Sequence, residues 1–342
     1  MNRSYFQDDI HDIVSMLMKA GALDAFSGKK LLLTGAGGFL GRWVLRVMDA
    51  LNAAYSQIGV KPCSVMALDS VATEAEAMEE IRHFDFVDFV HHDLRKGFAC
   101  GERFDYVMHL ASLASPYWYQ KKPLEVIDVG VNGSRLMLEK AKEDGAKYLF
   151  TSSSEIYQTA SIVPTPETYV GAVPTMSERS SYDVSKLMGE TLAYTYHKQF
   201  GVRATVVRLF NAIGVGLKES DHRILPRMAS AMKANRALQV FADPLQPLPT
   251  RTYCPVANTI SGILSALVKG ELGPYNIGMD GPEISVEELA RRVEKVSGRH
   301  YGLMERYMMD DADAAIVIMS SAAGTTKVAV DEMRKRGLKV GL

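Results

Sequence analysis

The stretch LLLTGAGGFLGRWVL, residues 31–45, constrains the fold more than any other part of the chain. An unbroken apolar run ends in a cluster of glycines, and apolar residues then recur at helical spacing. A strand apolar on both faces must be buried on both, and a parallel sheet between two helical layers provides that. The same grammar repeats downstream. SVMALD, DFVHHD, YVMHLAS, KYLFTSS and RATVVRLFN read as further strands. FLGRWVLRVMDALNAAYS, PLEVIDVGVNGSRLMLEKAKE and SYDVSKLMGETLAYTYHKQF carry the helical period between them. This alternation predicts an α/β fold built on a doubly wound parallel sheet.

At 342 residues the chain exceeds one average domain, so the pattern was divided. Residues 1–28 are expected to form a helical extension, with Phe6, Ile10, Ile13, Val14 and Leu17 at helical spacing. Residues 29–212 hold the sheet domain, 213–300 a smaller C-terminal lobe and 301–342 an atypical tail. The lobe is expected to contain helix RILPRMASAMKAN, strand LQVF, a helix from Val256 and strand PYNIG. It closes with ISVEELARRVEKV, opened by a capping box of Ser285 and Glu288 and apolar at Val286, Leu289, Val293 and Val296. With 39 Lys plus Arg against 40 Asp plus Glu, no global field draws in nucleic acid or an anionic membrane. Cys63, Cys100 and Cys254 are far apart and show no C-x-x-C spacing, which argues against disulfides and structural zinc. The N-terminus is broken by charge, unlike a signal peptide, and no apolar run approaches the ~20 residues of a membrane span. The expectation is a soluble cytoplasmic protein without metal.

The glycine loop TGAGGFLG follows a strand and opens a helix, the context in which such a motif has meaning. Gly35, Gly38 and Gly41 permit a tight turn, close approach of backbone to a pyrophosphate, and close helix packing. The helix N-terminus then turns free N–H groups toward phosphate. Asp69 ends the next strand, farther on than the usual ~20 residues. A carboxylate there binds a ribose diol and repels a 2′-phosphate, so NAD is expected over NADP. Asp93, closing FVHHD, is the expected partner of the adenine. His91 and His92 beside it lack a further ligand at suitable spacing and are read as ordinary histidines.

Y-x-x-x-K occurs three times, as Tyr117/Lys121, Tyr182/Lys186 and Tyr194/Lys198. Only Tyr182 opens a helix directly after the strand and loop that carry the serines. Tyr182 and Lys186 share one helix face. An ammonium near a phenol lowers its pKa from ~10, which equips Tyr182 to take an alcohol proton.

Together TGAGGFLG, Asp69, HLAS (109–112), SSSEIY (152–157) and YDVSK resemble an extended short-chain dehydrogenase/reductase of the nucleotide-sugar epimerase/dehydratase type, with a Rossmann-type sheet. The resemblance runs from about residue 29 to 299. HLASLASPYWY, SSSEIY, RSSYDVSK and VVRLFNAIG are most similar to UDP-glucuronic acid decarboxylases. This implies an enzyme that holds NAD, oxidises the sugar C4 hydroxyl, loses the neighbouring carboxylate as CO2 and then reduces the ketone. Carried over by residue, Ser153 bonds the C4 oxygen, Tyr182 is the base and Lys186 binds the nicotinamide ribose. Phe39, Leu40, Leu94, Leu110, Ala111 and Ser112 join the glycines around NAD. Asn211 and Arg251 lie on the diphosphate, and Ser115 and Arg179 contact the sugar. A homodimer through helices near 123–143 and 182–199 is also implied, with Leu136, Leu187 and Leu192 among its apolar positions. Bland readings stand beside these: Ser153 or Asn211 capping its own strand, and Arg251 as a solvated loop residue.

Glu155 bears on the reaction. Dehydratases of this type place Asp-Glu where this chain has Ser154 and Glu155, so the strong acid for an expelled hydroxyl is missing. A simple 4-epimerase needs no carboxylate, whereas a decarboxylase must manage an enolate at C5. Glu155 either serves that enolate or only orients the ring or a water. Two departures run the other way. Gly130 stands where relatives usually have asparagine. Residues 301–342 resemble a fragment of a 2-oxoacid:ferredoxin oxidoreductase α chain, reading as strand, helix and strand. They replace the segment from which decarboxylases supply an arginine to the sugar carboxylate, and Arg334 and Arg336 are candidates by charge alone. The alternatives are a nucleotide-sugar 4-epimerase and a non-catalytic NAD-binding relic.

Overall fold

The computed structural model describes residues 3–70, 75–218, 221–234, 250–297, 307–315 and 323–342. The elements of the first two thirds are α1 (Arg3–Lys19), β1 (Lys30–Thr34), α2 (Phe39–Gln57), β2 (Ser64–Asp69), α3 (Ala75–Arg82), β3 (Val87–His91), β4 (Tyr106–His109), α4 (Pro116–Lys121), α5 (Pro123–Ile127), α6 (Ser134–Asp144), β5 (Lys147–Ser153), α7 (Ser180–Phe200), β6 (Arg203–Leu209) and β7 (Asn211–Ile213). Then come α8 (Ile224–Lys233), β8 (Thr250–Arg251), β9 (Tyr253–Pro255), α9 (Val256–Lys269), β10 (Tyr275–Ile277), β11 (Ile284–Ser285), α10 (Val286–Ser297), β12 (Ala314–Ala315), α11 (Ala323–Lys335) and β13 (Val340–Gly341). The expected strand LQVF lies outside the described residues.

Seven strands form one parallel sheet in the order β10-β6-β5-β4-β1-β2-β3. Their side chains alternate between two buried layers, as the period of two requires. Leu31 and Leu33 of β1, Val65 and Ala67 of β2, and Leu149 of β5 face one layer, packed with α1, α2 and α9. Leu32, Met66, Tyr148 and Phe150 face the other, packed with α6 and α7. This is why the strands read as continuous apolar runs. The order reverses at β1, whose neighbours are β2 and β4, and a crevice opens there at the carboxyl ends of the strands.

Strand PYNIG, grouped by sequence with the smaller lobe, is β10 at the sheet edge, with Tyr275 opposite Val207. Parallel pairing joins segments far apart in the chain, so spacing along the sequence does not reveal it. The chain divides into two compact units, residues 1–227 with 251–283 and residues 228–250 with 284–342. In the second, β12 and β13 pair in parallel around α11, the strand-helix-strand arrangement expected of the tail. The amide of Glu288 donates to the Ser285 hydroxyl at 3.1 Å, one half of the expected capping box. Among the described residues no helix is long and apolar enough to cross a membrane.

The continuous helix expected over PLEVIDVGVNGSRLMLEKAKE is instead α5, a wide π-helical turn over 128–133, and α6. Gly130 lies in that turn, where an added Cβ would come 2.7 Å from the Cβ and Oγ of Ser185. The turn and α7 therefore meet backbone to side chain, with no space for a larger residue.

Gly189 brings α7 equally close to β5, since a Cβ there would press into the Phe150 ring. Gly189→Ala gains about 1 kcal/mol of helix propensity but overpacks a buried contact, which costs about 1–3 kcal/mol. The expected result is a lower melting temperature by thermal denaturation, because Phe150 is walled in by the sheet and has nowhere to retreat.

Candidate active site

A cleft of about 680 Å³ lies at the carboxyl ends of β1, β2, β4, β5 and β6, within the first unit. Its floor at the switch point is a short hydrogen-bonded chain. The Ala111 amide donates to Thr34 Oγ1 at 3.2 Å, and the Thr34 hydroxyl shares a hydrogen bond with His109 Nδ1, 2.8 Å away. The Thr151 hydroxyl donates to the His109 carbonyl at 3.1 Å. Burial holds the His109 pKa down at about 3, so the ring is neutral; ring and backbone carbonyl together make His109 the residue that links the ends of β1, β4 and β5.

One end of the cleft suits a dinucleotide. Gly35 has φ +72°, and a Cβ on it would come 2.8 Å from Ala111 Cα. A Cβ on Gly41 would come 2.7 Å from Ala36 Cα. The loop is therefore pressed against its neighbours and presents bare backbone, with the first turn of α2 behind it. Gly38, Phe39 and Leu40 line this end together with Leu110, Ala111 and Ser112. Asp69 accepts from the Gly37 amide at 2.7 Å and the Ser70 amide at 2.7 Å, which fixes a carboxylate beside the loop. Asp93 and Leu94 also line the cleft. The Asp93 carboxylate is held by Arg95 at 2.7 Å, and that guanidinium keeps its pKa below the usual carboxylate range.

At the other end stand Ser153, Glu155, Tyr182 and Lys186, brought together from β5, the turn after it and α7. Ser153 Oγ accepts from the Glu155 amide at 3.2 Å and so caps the short 3-10 turn that follows β5. Lys186 Nζ donates to the Thr151 carbonyl at 2.8 Å and lies 5.6 Å from the centre of the Tyr182 ring. Both groups are buried, and burial dominates both shifts. Lys186 is lowered to about 8, with Glu190 opposing the fall. Tyr182 is raised to about 12, a rise opposed by the Ser153 hydroxyl and Arg179 and reinforced by Glu155 and Asp183. The expected lowering of the phenol by its lysine is not what sets this value: burial raises it, and the opposing influences come from Ser153 and Arg179.

Arg179 is the organising cation of the wall. It donates to Glu155 at 2.7 Å and to the Tyr119 hydroxyl at 3.1 Å, contacts Asp183 at 3.5 Å and lies over the Tyr119 ring. Tyr119, which sequence reasoning passed over, also packs 6.0 Å from the Tyr182 ring. Its signal was the aromatic run in SPYWY. Likewise missed were His222, stacked on Tyr117 at 4.9 Å, and Arg223, paired with Asp221 at 2.6 Å. Ser115 and Asn211 line the cleft, and Asn211 also donates to the Thr252 carbonyl at 3.1 Å. Arg251 is exposed on β8 and is not among the residues lining the cleft. Arg334 is held within the tail, by the Val340 carbonyl at 2.6 Å and Asp311 at 2.6 Å.

Comparison with known proteins gives a consistent picture. The model of the NAD dependent epimerase/dehydratase family matches residues 31–278. UDP-glucuronic acid decarboxylase 5 of Arabidopsis thaliana is 31% identical over 272 residues, 79% of this chain and 75% of the relative. UDP-glucuronic acid decarboxylase 3 of the same plant is 36% identical over 192 residues, 56% of this chain and 55% of the relative. An epimerase from Methanothermobacter thermautotrophicus matches with TM-score 0.69 and 24% identity, over 84% of this chain and 82% of the other. UDP-glucuronic acid 4-epimerase from Bacillus cereus, solved with UDP-glucuronic acid and NAD, matches with TM-score 0.63 and 23% identity, over 80% and 84%. The two structures speak for the fold. The likeness of residues 301–342 to an oxidoreductase α chain finds no support among these relatives.

The buried lysine carries a testable signature. Its folded pKa of about 8 lies below the ordinary 10.5, so folding disfavours its charged form. That cost is fully present below pH 8 and is lost as pH rises through 10.5. Lys186→Met removes it. Urea unfolding at a series of pH values should show wild type gaining on the variant between pH 8 and 10.5, by at most about 1.4 kcal/mol per pH unit. Below pH 8 the difference should be flat.

Proposed function

This chain belongs to the NAD-dependent epimerase/dehydratase family, and from that premise we propose that it decarboxylates UDP-glucuronate to UDP-xylose through a 4-keto sugar. NAD is the cofactor, held by the glycine loop, the start of α2 and Asp69. When bound, its nicotinamide supplies the hydride acceptor and donor. The remaining chemistry belongs to the side chains described above. Ser153 donates to the C4 oxygen, and Tyr182 exchanges the proton of that oxygen. The raised pKa of Tyr182 means that its phenol gives up a proton only with positive charge close by, and Lys186 provides one such charge. A ketone at C4 lets the C5–carboxylate bond break. Its electron pair passes to the C4 oxygen, where the Ser153 and Tyr182 hydroxyls stabilise the enolate, and C5 is then protonated.

The observation that carries this reading is the Glu155–Arg179 ion pair at 2.7 Å, with Ser154 beside it. The arrangement gives Glu155 to the arginine and leaves Ser154, which is no strong acid, where a departing hydroxyl would need one. It suits a reaction that expels CO2 better than one that expels a hydroxyl. The rival is a nucleotide-sugar 4-epimerase, favoured by one observation: Arg334 is committed to carbonyls and Asp311 inside the tail, while Arg179 is committed to Glu155. We also propose a homodimer, in a cytoplasmic protein. Exposed Leu124 and Ile127 of α5 and Met188 and Tyr194 of α7 supply an apolar surface for it.

Incubation with UDP-glucuronate in deuterium oxide separates the readings. Decarboxylation yields CO2 and UDP-xylose with deuterium at C5, read by NMR. Epimerisation at C4 keeps the carboxylate and leaves C5 unlabelled, and a relic gives neither product. Tyr182→Phe should lower turnover about 10²–10⁴-fold, as loss of a general base does. Glu155→Gln should still form the 4-keto sugar while CO2 release slows. Equal loss of both steps in Glu155→Gln would reduce Glu155 to a positioning role.

Cofactor choice is a separate test. Wild type should bind NAD more tightly than NADP by calorimetry, and Asp69→Ala should narrow that gap by removing the charge that repels a 2′-phosphate. A wild-type preference for NADP overturns the assignment.

A further inference from the structure

The family match begins at residue 31, yet α1 contributes fully to the core, with Ile13 and Leu17 sealed from solvent. Its Phe6 ring lies 5.3 Å from that of Trp43 on α2, and the Arg46 guanidinium sits 4.1 Å from the centre of the Phe6 ring. Arg46 also pairs with Glu80, which pairs with Arg42 at 3.3 Å. This aromatic and guanidinium cluster lies on the flank of α2, the helix whose N-terminus belongs to the dinucleotide end of the cleft.

The same cluster grips the chain leaving β7. Trp43 Nε1 donates to the Val215 carbonyl at 3.0 Å, and Arg42 Nη2 donates to the Gly216 carbonyl at 2.7 Å. Gly216 has φ +94°, and a Cβ there would lie 3.6 Å from Arg46 Nη1 and 3.7 Å from the Phe6 ring. Two residues later the chain re-enters the cleft, whose wall includes Lys218, Asp221, His222 and Arg223. Two adjacent carbonyls of this turn thus depend on side chains from consecutive positions of α2, and α1 packs against one of them, Trp43. Neither donor enters the cleft, so neither touches what binds there.

We propose that Trp43, braced by Phe6 of α1, and Arg42 beside it are positioning residues that hold the 214–218 turn and with it Lys218 in the wall of the cleft. They fix the nucleotide-sugar end of the cleft to the dinucleotide helix. The helix is rigid by its own packing, so loss of the brace loosens the turn and not the dinucleotide end. That the turn serves a nucleotide sugar rests on the function proposed above. That it is held by α2 does not.

The test uses the full chain with Trp43→Phe, which keeps an aromatic ring but loses the N–H donor, and Arg42→Lys, which keeps the charge but loses the fork. Amide hydrogen exchange, followed by mass spectrometry, should rise roughly fivefold across 214–218, the scale of one lost hydrogen bond, with β1, β4 and β5 unchanged. Affinity for UDP should weaken by a similar factor while affinity for NAD stays constant. Phe6→Leu should reproduce the pattern more weakly. Unchanged exchange across the turn in both folded variants overturns the brace, and so does an equal fall in NAD and UDP affinity, which marks general loosening. If Trp43→Phe does not fold, Arg42→Lys decides alone, since its side chain lies at the edge of the core. Wild type that binds NAD but no UDP counts against the proposed substrate, while the exchange measurement still judges the brace.

Discussion

The carbonyl of Thr151 receives the ammonium of Lys186 inside the protein. The side chain is as buried as the core around it, and Thr151 at 2.8 Å is the acceptor that keeps its charge tolerable. A buried charge is costly, and the lowered pKa of Lys186, which the attraction of Glu190 only partly offsets, reflects that cost. The bond ties α7 to the end of β5, and much of the site follows from it. Tyr182 stands one turn earlier on α7 and Ser153 stands two residues later on the strand. Glu155 follows in the next turn. Gly189, one turn beyond Lys186, lets the helix come close enough to the strand for the bond to form.

The second organising charge is exposed and works differently. Arg179 gathers Glu155, Asp183 and Tyr119 from three elements, at the mouth of the same cleft. Solvent screens the pair with Glu155, which adds little stability, whereas Asp183 is buried beneath it. Their contribution is orientation. Glu155 has one geometry relative to Tyr182 because a planar, forked guanidinium receives it. Arg179 is thus already engaged by two carboxylates of the chain itself.

Much of this was legible in the sequence. The glycine loop, the acid ending β2 and the serines ending β5 are local signals, each next to the element that positions it. The pairing of Tyr182 with Lys186 was legible because four residues make one helical turn. The parting of α5 from α6 was not, because the π-helical turn at Gly130 answers to the approach of Ser185 on another helix. Nor was the membership of β10 in the main sheet, a pairing of distant segments. Tyr119 looked like one aromatic among several until α4 placed it against Arg179 and Tyr182.

The sequence by itself determined the alternation of strands and helices, the glycine loop and which hydroxyl, lysine and carboxylate groups are gathered at the far end of the cleft. These depend on periodicity and on neighbours a few residues apart, which a single chain displays directly. Only the tertiary structure decided their electrostatics. The phenol of Tyr182 is driven up by burial and not down by its lysine, Arg179 is spent on Glu155, and Arg334 is enclosed in the tail. Charge effects in a protein depend on distance and desolvation, and both are set by packing between segments far apart in sequence, which no local pattern records.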